Sequence, residues 1–214
     1  RLEFRVICGP TGSGKTRLLQ ALIEAGAQVL DLEALASHRS SVLGVIPGQP
    51  QPTQKRFDTL VWDALRGFDP ARPVFVEAES KKVGNLTVPE SLMLAMRASP
   101  CFLLQLTDDE RVALLLEDYA FFANDAAFFC QRLDALTTLR GKAVVEGWKA
   151  QVLAGNVEPV VRELLLRHYD PGYAASTRRN FAHFDQAGGL VARDRSMEAM
   201  RELAHGLLAA PAGP

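Results

Sequence analysis

The chain has 214 residues, 48% hydrophobic and 23% charged, a globular composition with room for one α/β core and an appended helical part. A formal net charge of -1 argues against a protein that coats polyanions generally, although a local basic patch could still meet a nucleic acid. Three cysteines, Cys8, Cys101 and Cys130, lie far apart with no C-x-x-C pair, which argues against a zinc ribbon and for a reducing compartment.

In chain order, 3–8 reads as a strand, alternating and then becoming apolar, and Leu18, Leu19, Leu22 and Ile23 recur at helical spacing just after it. Between the two stands Gly9-Pro10-Thr11-Gly12-Ser13-Gly14-Lys15-Thr16, the spacing G-x-x-x-x-G-K-[ST] of a Walker A phosphate loop. Glycines let consecutive backbone amides turn toward one anion, and the following helix presents its positive dipole end to it. Lys15 adds a mobile cation, and the Thr16 hydroxyl is suited to holding Mg2+.

Further strands are predicted over 28–32, 73–77 and 101–106, with helices over 15–25, 54–66 and 89–98 between them. This alternation is that of a parallel sheet with crossover helices, a P-loop NTPase-like α/β fold. A stretch rich in Gly, Pro and Gln over 37–53 breaks the rhythm, and a loop so long in a compact domain is usually functional. From Asp108 onward, helices are predicted over 109–119, 126–138, 142–153 and 159–169, read as a helical insertion or lid. A last strand over 181–185, a turn at Gly188-Gly189 and a helix over 196–208 would return the chain to the sheet. The division is therefore 1–107 for the core, 108–178 for the lid, and 179–214 for the return. Phe121, Phe122, Phe128 and Phe129 suffice for a lid core. No leader segment and no run of about 18 apolar residues is seen, so a cytoplasmic location without a membrane anchor is expected. The sequence opens within a few residues of its first strand, as a piece of something longer would.

Several residues could carry chemistry beside the loop. Val74-Phe75-Val76-Glu77 resembles a Walker B strand, whose carboxylate would reach the metal or phosphate; a buried strand meeting solvent would also end in charge. Glu79 and Ser80 follow it, and Lys81, Lys82 and Asn85 could contact an anion or simply form a solvated loop. Asp31 and Glu33 end the second strand at the carboxyl edge, where open α/β sheets place ligands, with helix capping as the alternative. His38 and Arg39 lie on the same edge, either binding phosphate or sitting as ordinary surface groups. Gln51 and Gln54 carry amides suited to reading bases or ribose, with Thr53 as a helix cap. Arg178, Arg179 and Tyr173 have the composition of a stacking surface for single-stranded nucleotides, or of core aromatics beside surface arginines. Cys8 and Cys101 sit in apolar strands and read as buried small hydrophobes.

Taken together, several segments resemble one family. They are Gly12-Ser13-Gly14-Lys15-Thr16 with Leu18-Leu19, Val29-Leu30-Asp31-Leu32-Glu33, Leu35-Ala36, His38-Arg39, Gln51-Pro52-Thr53-Gln54, Phe57, Val76-Glu77, Glu79-Ser80, and Gly84 before Pro89. His168-Tyr169-Asp170-Pro171 with Tyr173 and Ser176 extends the pattern over nearly the whole chain. The chain looks like the P-loop portion of the bacterial tRNA 2-selenouridine synthases. That resemblance implies a transferase acting on wobble 2-thiouridine of tRNA, with geranyl diphosphate as prenyl donor to sulfur and selenophosphate, supplied by a selenophosphate synthetase, as selenium donor. It gives the loop at 9–16 a departing pyrophosphate to neutralise, with Lys15, Glu77 and Glu79 as the catalytic candidates. Family members carry an N-terminal rhodanese-like domain whose loop cysteine serves the selenium step, so that domain is expected to be needed in cis or in trans. Ser40 replaces a glycine usual after His-Arg, and Ala78 replaces an acid usual between the two glutamates. A small-molecule P-loop kinase or ATPase using a nucleoside triphosphate, and a non-catalytic nucleotide-gated tRNA-binding module, are the other classes the sequence admits.

Overall fold

The computed structural model describes residues 2–39, 46, 48–120 and 124–209. Five parallel strands form the sheet: β1 (Phe4–Cys8), β2 (Gln28–Leu30), β3 (Val74–Glu77), β6 (Cys101–Gln105) and β7 (Gly188–Val191). Their spatial order is β2-β3-β1-β6-β7, so β1 lies at the centre with neighbours that come much later in the chain. All pairings are parallel, and the register sets Ile7 opposite Glu77 and Cys8 opposite Leu103.

The period-2 alternation sorts side chains onto two faces. Val6, Cys8, Val74 and Val76 face a core shared with Phe57 and Val61 of helix α3 (Gln54–Gly67) and Met93 and Met96 of α4 (Glu90–Arg97). Ile7, Phe75 and Leu104 face the other way, onto Leu18, Leu19 and Leu22 of α1 (Lys15–Glu24) and Met200, Ala204 and Leu207 of the last helix, α11 (Met197–Ala209). Cys8 and Cys101 are buried in the first of these cores. A third core, around Phe129, Leu133, Trp148 and Val160, belongs to the helical part, made of α5 (Asp108–Asp118), α6 (Ala126–Asp134), α7 (Thr137–Arg140), α8 (Lys142–Leu153) and α9 (Val157–Glu163). Phe128 packs against that core half-buried, whereas Phe121 and Phe122 lie outside the described residues.

Several boundaries differ from the sequence reading, each for a local reason. The second strand stops at Leu30 because the Asp31 carboxylate accepts the Ala34 amide at 2.8 Å and starts the short helix α2 (Leu32–Ala36). The helix expected over 126–138 is interrupted after Asp134 and resumes at Thr137. The helix expected to end at residue 169 instead passes through a π-helical stretch, Leu164–Tyr169, into α10 (Asp170–Asn180). A wider turn there relieves the clash that Pro171 would cause in a regular α-helix.

No strand forms over 181–185. Phe181 and Phe184 are buried, Phe184–Gln186 is a 3-10 turn, and Gly188 and Gly189 begin the edge strand β7 rather than forming a turn. A Cβ on Gly188 would come within 3.2 Å of the Phe102 ring, so the glycine lets this strand approach β6. Where a plain loop was expected after β3, a small antiparallel hairpin forms, β4 (Lys82–Val83) and β5 (Leu86–Thr87), turning at Gly84 with a φ of 60°. No helix among the described residues is long and apolar enough to cross a membrane.

Candidate functional site: a phosphate loop over a buried carboxylate cluster

β1 ends directly under the loop 9–16, whose Gly12 and Gly14 hold φ values of 76° and 91° that L side chains rarely adopt. Gly9 is required for another reason: a Cβ there would lie 2.3 Å from Ser13 Oγ and 2.9 Å from the Leu104 carbonyl. Ser13 is wholly buried, and its hydroxyl has no hydrogen-bond partner among the described residues. The Lys15 ammonium lies back over the loop, donating to the carbonyls of Gly9 at 2.8 Å and Pro10 at 3.4 Å. From there it can swing to an anion held by the loop amides.

The loop forms one wall of a cavity of about 1000 Å3 at the carboxyl edge of the sheet, a volume suited to a ligand much larger than a diphosphate alone. Opposite the loop stand Asp31 from the end of β2, His38 and Arg39 from beyond α2, and Glu77, Glu79 and Ser80 from the end of β3. The Thr16 hydroxyl lies 3.2 Å from Glu77 Oε1, joining the Walker A and Walker B positions. Glu77 and Glu79 are both buried, and with Glu33 they bring carboxylate oxygens within 4.8 Å of one another. Burial, reinforced by Glu33 and then by Glu79 and Asp31, pushes the Glu77 carboxyl well above the usual carboxylate range, while Lys15 opposes the shift. Hard oxygen donors at this spacing fit a divalent cation, whose charge would relieve the repulsion.

The remaining residues divide between the cavity and elsewhere. His38 is buried, its Nδ1 has no hydrogen-bond partner among the described residues, and burial lowers its pKa. Arg39 reaches the wall, but its guanidinium donates to the Asp118 carbonyl at 2.9 Å and lies 4.7 Å over the Tyr119 ring. Ser80 lines the cavity and turns its hydroxyl onto the Lys82 carbonyl. Gln51 and Gln54 do not line it. Gln51 donates to the carbonyls of Ala36 and Val83 and accepts the Asn85 amide, while Gln54 donates to the Thr87 carbonyl and accepts the Thr87 amide. Their amides clamp the β4-β5 hairpin instead of facing a ligand.

Tyr173 is displaced from the nucleic-acid surface proposed for it: its phenol oxygen accepts the Gly9 amide at 2.6 Å, inside the site. Arg178 and Arg179 are exposed on the far end of the same helix, Arg178 paired with Asp185 at 2.6 Å. Glu33, which the sequence offered with Asp31 at the ligand-bearing carboxyl edge, completes the carboxylate cluster. One residue that sequence reasoning passed over also reaches the site. Arg111 is buried beneath the loop, and nothing in its setting among Asp108, Asp109 and Glu110 distinguishes it from a solvated helix face.

The model of the tRNA 2-selenouridine synthase AAA domain matches residues 2–143, a span that holds the phosphate loop, Glu33, His38, Glu77, Glu79 and Arg111. The chain belongs to that family. Segment 168–176, to which the sequence resemblance extends, lies outside the matched span. Among curated proteins, the tRNA 2-selenouridine synthase of Marinobacter nauticus is 36% identical over 119 residues, covering 55% of this chain and 31% of that protein. Those of Alcanivorax borkumensis and Nitrosomonas eutropha are 39% and 42% identical over 120 residues, covering 32% and 30% of their lengths. The match thus spans about a third of each of these relatives. Among solved structures, TT1252 from Thermus thermophilus is similar over 99% of this chain and 100% of its own, at 17% identity and a TM-score of 0.46. Shikimate kinase from Acinetobacter baumannii is similar over 97% and 91%, at 16% identity and a TM-score of 0.41.

Proposed function

We propose that this chain binds the diphosphate of a prenyl donor, geranyl diphosphate, at the loop 9–16 and transfers the prenyl group to the sulfur of wobble 2-thiouridine in tRNA. The observation that carries the proposal is the coincidence, within the family-matched span, of a phosphate loop with the Thr16–Glu77 pair at the mouth of a cavity large enough for donor and base together. The base sulfur attacks the prenyl carbon, its carbon-oxygen bond breaks, and the pyrophosphate leaves into the loop. Charge building on the leaving oxygens meets the loop amides and the dipole end of α1, both fixed before the reaction begins, and Lys15 swung over from the Gly9 and Pro10 carbonyls. A Mg2+ ion, held by Thr16 and Glu77 with Glu79 beside them, would neutralise further pyrophosphate charge. Asp31 and His38 line the cavity wall where the base would lie. Selenophosphate, delivered by a selenophosphate synthetase, would then exchange selenium for the prenylated sulfur with a rhodanese domain in cis or in trans. Arg178 and Arg179 are the residues proposed for the tRNA backbone.

Lys15→Ala is expected to weaken geranyl diphosphate binding by about a hundred-fold, the loss of one charge-assisted contact to an anion in a dry site. Isothermal titration with both proteins checks it, and equal affinities would refute the role of the loop. The same loop would also serve a kinase. Turnover of a nucleoside triphosphate that rises with one small metabolite and ignores tRNA would favour that reading.

A further inference from the structure

The phosphate loop is held from outside by helices α5 and α10, through Arg111 on the first and Tyr173 on the second, two side chains that no part of the reading above uses as ligands for the donor. Arg111 is only 4% exposed, and all five of its N–H groups are engaged by protein acceptors. Nε and Nη2 donate to the Thr11 carbonyl at 3.0 and 2.8 Å, Nη1 to Asp108 at 3.0 Å, and Nη1 and Nη2 to the two Asp170 oxygens at 2.9 and 2.6 Å. No donor remains for a phosphate, although the residue lies directly behind the loop that binds one.

Geometry explains what such an arginine does. A trans peptide points its carbonyl and its following amide to opposite sides, and no cis peptide occurs among the described residues. Drawing the Thr11 carbonyl back onto Arg111 therefore turns the Gly12 amide away from α5. Gly12 lies close against that helix with no space for a side chain, since a Cβ there would lie 3.0 Å from the Arg111 carbonyl and 3.1 Å from Leu115. At the start of the loop, the Tyr173 oxygen takes the Gly9 amide at 2.6 Å and fixes the peptide on which the turn begins. Asp170, which orients the guanidinium with a bidentate pair, and Tyr173 both lie on α10, beyond the π-helical stretch.

We propose that Arg111 and Tyr173 are positioning residues of the phosphate loop: they pin the peptides at Thr11 and Gly9 so that the loop's amides are preset for a diphosphate before it arrives. The proposal rests on the loop being a phosphate site, and it holds whether the diphosphate comes from a prenyl donor or a nucleotide.

Inorganic pyrophosphate is the probe, titrated calorimetrically into the wild type, Arg111→Lys, Tyr173→Phe and Asp109→Asn, well below each protein's unfolding temperature. Asp109 is a surface control on α5, paired among the described residues with Arg162 at 2.9 Å and 86% exposed. Lysine keeps the charge but loses the planar fork, so Arg111→Lys is expected to weaken pyrophosphate binding by about ten-fold or more. Phenylalanine keeps the ring against Phe184 and removes only the acceptor, so Tyr173→Phe is expected to weaken it several-fold while the protein stays folded. Asp109→Asn should match the wild type. Millimolar guanidinium added to Arg111→Ala should restore part of the lost affinity, which a general loss of packing would not allow.

If Arg111→Lys fails to fold, Tyr173→Phe decides. Wild-type affinity in the folded variants overturns the positioning role and leaves the phosphate site standing. No pyrophosphate binding by the wild type overturns both.

Discussion

Glu77 ends a fully buried strand with Glu33 and Glu79 close by, and its carboxyl keeps a proton to pH values well above 4.5, its value when free in solvent. The folded state therefore binds more protons than the unfolded one as pH rises above 4.5, so this group removes stability progressively until its raised folded pKa is passed. Glu77→Gln keeps the shape without the charge. It is expected to flatten that part of the stability profile and to raise the ligand-free protein's stability at neutral pH, as denaturant melts across the pH range would show. The same change should abolish any gain in pyrophosphate affinity from Mg2+. Gly9→Ala is the opposite case: its Cβ would meet Ser13 Oγ and the backbone of β6, and the backbone cannot yield. A loss of about 1–3 kcal/mol in stability is expected, together with loss of anion binding. At this scale the spacing of glycines, lysine and threonine was legible in the sequence because it is local. Arg111 was not, because its partners Thr11 and Asp170 lie 100 and 59 residues away.

The elements that the sequence reading located best carry a continuous or periodic apolar pattern. Strands β1 and β3 are mostly apolar and buried, and α1 and α3 carry one apolar stripe each, so their positions follow from periodicity. The parts it missed depend on partners distant in sequence. β7 is largely exposed and pairs only with β6, and the hairpin β4-β5 is held by Gln51 from a distant segment. Gln51 was expected to read a ligand. As a clamp, its replacement in Gln51→Ala leaves the Ala36 and Val83 carbonyls and the Asn85 amide without their partner. The expected cost is about 1–3 kcal/mol in urea unfolding, with pyrophosphate affinity unchanged. Gly84→Ala should act in the same direction, since its Cβ would press on the Gln51 amide at 2.3 Å in a backbone conformation strained for alanine.

Across the whole molecule, the sheet's two faces and the helical part each have a core, and the cavity opens where the three meet the end of β1. Helix α5 is tied back to the sheet side by Arg17, paired with Glu117 and Asp118, and by Arg195, paired with Glu110 and Glu117. Solvent screens these partly exposed pairs, whereas the Arg111 contacts to the loop are buried and that of Tyr173 half-buried. The match to the tRNA 2-selenouridine synthase AAA domain covers the phosphate loop and the carboxylate cluster on this cavity's wall. In the proposed reaction the donor's diphosphate leaves into this loop as the base sulfur is alkylated. Incubating the chain with geranyl diphosphate and tRNA carrying wobble 2-thiouridine, and following nucleoside mass, tests that step. Conversion of 2-thiouridine to its S-geranyl derivative, lost in Lys15→Ala, is the expected result; unchanged nucleoside mass with intact, folded protein and bound tRNA would overturn the proposed transfer.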